Sequence, residues 1–278
     1  MTARDIFSPS SMLPDKAYPE WLAYEPKLLP PPSLMREEGI TILEEWFRWG
    51  EEWSMLLRTY GKLTPTSDVL EIGCGLGRIA FAIRYLLPRG TYTGFEIVRQ
   101  KVEFLQPTFT PAHRNFSFVW ADVANTYYNP GGTLNPVQYH FPAAEASKDL
   151  VFAASVFTHM APAHTAHYLR EAARVLKPGG RCVLSFFLLE RYRHDVARPF
   201  NFGGAAFAFD LHDPVWGSAF AFVNADNPEQ MTSYRTSLID RLAWEAGLKI
   251  DEVIPGLWSG TEPAAAPTQD VVVLSRAP

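Results

Sequence analysis

The sequence predicts a doubly wound α/β fold, a mostly parallel sheet covered by helices on both faces. Three observations lead there. From residue 68 onward, short apolar runs alternate with amphipathic stretches, the pattern of parallel strands joined by crossover helices. The first run empties into a glycine-rich turn, VLEIGCGLGRIA at 69–80, at the place where such sheets bind nucleotides. Two further runs, LKIDEVIPG and DVVVLSR, close the chain as a strand pair.

The elements follow in order. The first 33 residues hold seven prolines, which forbid a regular helix and predict an extended arm. Tyr18, Trp21 and Tyr24 are interleaved with them and suggest that the arm is docked on the body. Residues 34–61 read as one helix, with Ile40, Leu43, Phe47, Trp53, Leu56 and Tyr60 on its apolar side and Gly61 as its stop. Trp46, Phe47 and Trp53 either pack onto the next domain or, Trp46 in particular, line a substrate pocket. This gives an arm and cap helix over 1–61 and an α/β domain over 62–278.

Within that domain, 68–72, 91–97, 116–122, 149–155 and 181–189 read as strands, and 77–87, 98–106 and 162–176 as helices, the last closed by KPGG. The stretch 124–148 is too long for an ordinary connection and reads as a functional or surface excursion. An insert at 190–231 breaks the alternation. A helix over 232–247 follows, capped by Thr232 or Ser233 and stopped by Gly247.

The totals narrow the function. A formal net charge of −5 argues against nucleic acid as the main partner. Cys74 and Cys182 make neither a disulfide framework nor a metal spacing, and no metal is expected. The N-terminus lacks the pattern of a signal peptide. No run approaches the roughly 18 apolar residues of a membrane span, so a cytoplasmic protein without a membrane partner is expected. Nothing in the sequence indicates a homo-oligomer.

Two nucleotide readings of the glycine turn fail. A dinucleotide site needs a small residue where Arg78 stands, and a P-loop needs a Gly-Lys-Ser/Thr that is absent. The turn is G-x-G-x-G, preceded by Glu71. Glu96 then closes the second strand, 19 residues beyond Gly77, and Asp122 the third; ASVFTHM follows the fourth and RVLKPGGR precedes the fifth. Over residues 60–278 this resembles the class I S-adenosylmethionine-dependent methyltransferases. The resemblance implies a Rossmann-like seven-stranded sheet whose antiparallel last strand slots between the fifth and sixth.

It also implies S-adenosylmethionine as cofactor, with S-adenosylhomocysteine as product. Gly73, Gly75 and Gly77 would let the backbone approach the amino acid end. Glu96 would accept the ribose hydroxyls. Asp122 would accept from the adenine amino group while the Val123 N–H donates to the ring, and Ile97 and Val123 would face the adenine. Cys74 and Ser155 would also lie against the cofactor. Glu71 either supports the loop or touches the ligand, and Arg78 either reaches the methionine carboxylate or pairs with a nearby acid.

Methyl transfer is an in-line displacement, so the site has to hold the acceptor about 3 Å from the methyl carbon and exclude water. The Asn/Asp-Pro-Pro-aromatic signature of the family's base and amide N-methyltransferases is replaced by Ala154-Ser155-Val156-Phe157. His159 is a candidate base for a hydroxyl acceptor, or a brace for the following helix; His140, His194, His212 and Asp210 are further candidates. Aromatics of the insert, among them Phe200, Phe202, Phe207, Phe209, Trp216, Phe220 and Phe222, either roof an apolar pocket or form a private core or dimer face. The expected function is O-methylation of a small organic acceptor. The alternatives are N- or C-methylation, a cofactor-binding partner without turnover, and a nicotinamide oxidoreductase, which Arg78 disfavours.

Overall fold

The computed structural model of the protein describes residues 25–192, 200–202, 205–259 and 266–276, with the backbone alone at 200–202 and 205–207. The arm aromatics Tyr18, Trp21 and Tyr24, together with His194 and the side chains of Phe200, Phe202 and Phe207, lie outside the described residues.

After a 3-10 turn at Pro26–Leu28 come α1 (Pro32–Glu37) and α2 (Leu43–Thr59). The single helix expected over 34–61 is thus two. Gly39 takes φ +73°; its N–H donates to the Arg36 carbonyl and that of Ile40 to Met35. These paired bonds end a helix on a left-handed glycine. There follow β1 (Asp68–Ile72), α3 (Arg78–Ile83), β2 (Thr91–Glu96), α4 (Arg99–Ala112), β3 (Phe116–Trp120), β4 (Lys148–Ala153), α5 (Pro162–Val175) and β5 (Leu176–Phe186). Helix α4 runs past Pro107 and Pro111, where the sequence predicts a stop at 106. Burial of Leu105 and Phe109 on either side of Pro107 offsets the hydrogen bond that proline removes.

The insert forms a hairpin of β6 (Phe200–Phe202) and β7 (Ala205–Phe207) and a small antiparallel sheet of β8 (Leu211–Asp213), β9 (Gly217–Phe222) and β10 (Thr232–Tyr234). Thr232 and Ser233 pair with β9 and cap nothing. Helix α6 starts at Thr236, whose N–H donates to the Glu190 carboxylate at 3.1 Å. Strands β11 (Leu248–Ile254) and β12 (Asp270–Arg276) complete the chain.

The main sheet has the order β11-β12-β5-β4-β1-β2-β3. Strand β12 is antiparallel to both neighbours and lies between the fifth and sixth strands, as the resemblance implied. Side chains alternate between two cores. Val69, Leu150, Phe152, Val271 and Val273 face α2, α3 and α4, while Leu70, Ile72, Val151, Ala153 and Val272 face α5 and α6. Burial on both faces explains why these strands read as continuous apolar runs.

Candidate active site

Strand β1 lies between β2 and β4, so the chain reverses its direction of travel across the sheet there. The crevice that such a switch point leaves beyond the carboxyl ends is where α/β sheets place ligands. Into it runs the glycine turn. Gly73, Gly75 and Gly77 take φ of 67°, 51° and 77°, a region that strains any residue with a Cβ. The Gly73 and Cys74 N–H groups both donate to the Phe95 carbonyl, at 2.8 and 3.1 Å, fastening the turn to the end of β2. Gly73 and Gly75 are half-exposed, whereas Cys74, Leu76 and Gly77 are buried. The turn therefore offers backbone at 73 and 75 to the crevice.

Glu96 ends β2 beneath that backbone, only 5% exposed. Its Oε2 accepts from the Gly75 N–H at 2.8 Å and its Oε1 from the Val98 N–H at 2.9 Å. A carboxylate anchored in this way stands at the junction of the first two strands.

Residues 69–180 match the family model described as Methyltransferase domain. Those residues form a methyltransferase domain. Among curated proteins it is similar to the malonyl-[acyl-carrier protein] O-methyltransferase of Brevibacillus brevis, 32% identical over 45% of this chain and 41% of the relative. It is similar also to the protein of that name from Hahella chejuensis, 26% identical over 44% of this chain and 37% of the relative. The chain thus spans about two fifths of the length of the curated relatives it matches. Among solved structures, the CcbJ methyltransferase from Streptomyces caelestis aligns with a TM-score of 0.54 at 20% identity, covering 82% of this chain and 90% of that one. That likeness is one of fold.

The residues of the methyltransferase domain fit the nucleoside that the family uses. The turn carries no side chain of its own at 73 and 75, where Val156 and Glu38 instead come within 2.6 and 3.0 Å of the two Cβ positions, and the nearest strand-end group is an acceptor, which suits a ribose diol and not a pyrophosphate. Ile97 is half-buried against the α5 core, and its carbonyl accepts the Trp120 indole N–H at 3.2 Å.

Several expected contacts are placed otherwise. Cys74 packs into the core on the α2–α4 side, where burial raises the pKa of its thiol, so only its backbone faces the turn. Glu71 is fully interior and takes the Tyr92 hydroxyl; burial pushes its carboxyl from 4.5 up to about 8. It braces the turn from beneath. Arg78 stacks its guanidinium over Trp49, 5.1 Å from the ring centre.

Asp122 lies two residues past β3 with both oxygens engaged by the 124–148 excursion. It accepts from Thr133 Oγ1 at 2.7 Å and Asn129 Nδ2 at 3.2 Å, bonds that hold its carboxyl below the usual carboxylate range. The Val123 N–H donates to the Ala121 carbonyl at 2.7 Å. Both residues thus already have hydrogen-bond partners within the chain: Asp122 in the excursion, and Val123 at Ala121. Ser155, just beyond β4, has φ +58°. Its N–H donates to Ser185 Oγ at 2.8 Å and its own Oγ to Gln269 at 3.1 Å, so it is fixed to β5 and the approach to β12. A non-glycine residue held in this region at a switch point marks stored strain of the kind found at ligand sites.

His159, in the 3-10 turn Phe157–His159, completes the acceptor side. Its Nδ1 faces the Glu229 carbonyl at 3.2 Å, which assigns the N–H to Nδ1. Nε2 is then the acceptor, facing the Tyr128 hydroxyl at 3.4 Å. Burial lowers its pKa from 6.5 to about 4, so the imidazole is neutral over the physiological range. Tyr127 stacks parallel to it, ring centres 6.0 Å apart.

Four groups of this site carried no signal in the sequence. Glu38 lies 3.0 Å from where a Cβ on Gly75 would stand, and pairs with Lys101 at 2.8 Å. Tyr128 shares its hydroxyl with His159, and Glu229 accepts both the N–H and the hydroxyl of Thr126 at 2.7 Å. They come from α1, α4, the excursion and the insert, and only folding brings them together. Lys101, on the first turn after Glu96, alone was within reach of a spacing argument.

The expected substrate residues diverge. Trp46 is 1% exposed, edge-on to Phe47 and Phe81, and belongs to the core. Trp216 lies under the Arg241 guanidinium of α6, 5.5 Å away. Phe209 and Phe220 are each 2% exposed; Phe209 packs with Phe187 and Trp258, and Phe220 joins the sheet core on the α5–α6 side, so neither belongs to a core private to the insert. Of the other histidines, His140 is on Glu171 and His212 faces the Phe220 carbonyl. Tyr192 donates to Asp210 at 3.5 Å.

Proposed function

We propose that this protein transfers a methyl group from S-adenosylmethionine to oxygen of a small organic acceptor. The observation that carries the reading is the Glu96 carboxylate lodged against the Gly75 backbone at the switch point of a methyltransferase domain. When bound, the cofactor supplies a methyl carbon already activated by positively charged sulfur. The chain's own residues then have to hold, orient and deprotonate. Gly73 and Gly75 offer backbone to the amino acid end, and Glu96 offers a carboxylate to the sugar hydroxyls. His159 presents a neutral Nε2 to the acceptor side, its Nδ1–H held by the Glu229 carbonyl, and Tyr127 and Tyr128 pack against its ring.

Oxygen is supported by that neutral base and by the two curated relatives, both malonyl-[acyl-carrier protein] O-methyltransferases. A hydroxyl acceptor needs a base, whereas a carboxylate is already ionised. The reading is tested with methyl-labelled S-adenosylmethionine against phenols, sugars and a malonyl thioester. Glu96→Ala is expected to weaken S-adenosylhomocysteine at least 10-fold in calorimetry. His159→Ala is expected to slow transfer to a hydroxyl and leave transfer to a carboxylate intact. Wild-type affinity for the homocysteine nucleoside in Glu96→Ala would remove Glu96 from the site.

A further inference from the structure

Glu38 and Lys101 form an ion pair over the glycine turn that the proposed function leaves unused. Their side chains are only 17% and 15% exposed, and the carboxylate occupies the space that Gly75 opens by lacking a Cβ. Lys101 answers to more than one acid: burial would lower its pKa, but Glu96 and Glu38 together raise it. Its ammonium also lies 5.7 Å from the centre of the Tyr128 ring, a second seat for a cation. Glu38 caps the end of α1 and is followed by Gly39, where a Cβ would meet nothing within 4 Å. The residue that carries the carboxylate is thus followed by a glycine joint with room beside its backbone.

We propose that Glu38 is a cofactor-binding residue, and that its pairing with Lys101 is exchanged for the α-ammonium of the amino acid end of S-adenosylmethionine. The inference rests on the methyltransferase reading of the site. The glycine turn is where that end would lie against backbone, and Glu38 stands on the side of Gly75 that a Cβ would occupy, while Glu96 holds its N–H. Exchange leaves no buried charge alone, because Lys101 keeps Glu96 and the Tyr128 ring while Glu38 gains the incoming ammonium. The N-terminal segment, which lies outside residues 69–180 of the matched domain, thereby becomes part of the cofactor site.

The test is titration calorimetry with two nucleosides: S-adenosylhomocysteine, which carries the ammonium, and 5′-methylthioadenosine, which lacks the whole amino acid end. Glu38→Gln is expected to weaken the first roughly 10- to 100-fold, the loss of one charge-assisted hydrogen bond, and to leave the second unchanged. Lys101→Met, which removes the competitor, is expected to bind S-adenosylhomocysteine at least as tightly as wild type. Equal loss of both nucleosides in Glu38→Gln, no loss of either, or a loss in Lys101→Met matching that in Glu38→Gln would overturn the proposal. Absence of S-adenosylhomocysteine binding in wild type would instead overturn the cofactor reading, and the proposal with it.

Discussion

Glu71 stands on the helix-covered face of β1, beside Val69, where water does not reach and the Tyr92 hydroxyl is its hydrogen-bond partner. Its carboxyl stays protonated up to about 8 when folded, against 4.5 when free. The folded state is therefore favoured fully below 4.5. That advantage is lost as pH rises towards 8, because the unfolded chain ionises first. Glu71→Gln removes the titration, so its urea stability is expected to gain on wild type from pH 5 to pH 8; parallel curves would show that Glu71 ionises freely. His159 works in the opposite sense. Lowered from 6.5 to about 4, it makes stability fall as pH drops from 6.5 towards 4, where only the unfolded chain takes up the proton. His159→Gln is expected to flatten that acid limb. With a hydroxyl acceptor the same shift predicts a rate with no inflection near 6.5, checked by a pH profile between 5 and 8.

At the scale of elements, two joints carry the geometry of the site. Gly77 is the left-handed cap of α3, and a Cβ there would meet Leu105 of α4 at 2.6 Å. Gly77→Ala is expected to cost about 1–3 kcal/mol, read from urea unfolding, and to weaken nucleoside binding by displacing the turn. The second joint is Asp270 at the start of β12. It accepts from the N–H groups of Gly256 and Leu188 at 2.8 and 2.9 Å and from the Trp258 indole at 2.6 Å. It thereby ties the exit of β5 to the approach to β12, next to Gln269, which holds Ser155. Asp270→Ala leaves these donors buried without an acceptor and is expected to cost about 3 kcal/mol or more. A loss under 1 kcal/mol would mean that water replaces the carboxylate.

For the whole molecule, the arrangement of a turn on β1, a carboxylate on β2 and a histidine after β4 makes ligand binding and folding one linked equilibrium. S-adenosylhomocysteine at 100 times its dissociation constant is expected to add roughly 2.7 kcal/mol to stability, visible as a rise in melting temperature, whereas NADH is expected to add nothing. A shift with NADH alone would reverse the assignment of the turn. Among the described residues no helix is long and apolar enough to cross a membrane. Trp46 and Trp53, expected as candidates for a pocket wall or for packing, are interior, so α2 serves to cover one face of the sheet.

The sequence by itself determined the sheet, because β1, β4, β5 and β12 are buried on both faces and each therefore carries a run of mostly apolar residues. It determined the glycine turn as well, since positive φ at 73, 75 and 77 admits few other residues. Glu96 was legible because a charge at the end of an apolar strand needs a reason. Gly39, read as helix interior, was misplaced because local propensity does not distinguish a tolerated glycine from a stop. The insert's aromatics were ambiguous for a related reason: core and lid demand the same apolar composition. Only the tertiary structure decided that Glu38, Lys101, Tyr128 and Glu229 gather around Gly75 and His159. Their contacts span distant parts of the chain, and no periodicity or spacing encodes which side chains meet across a crevice.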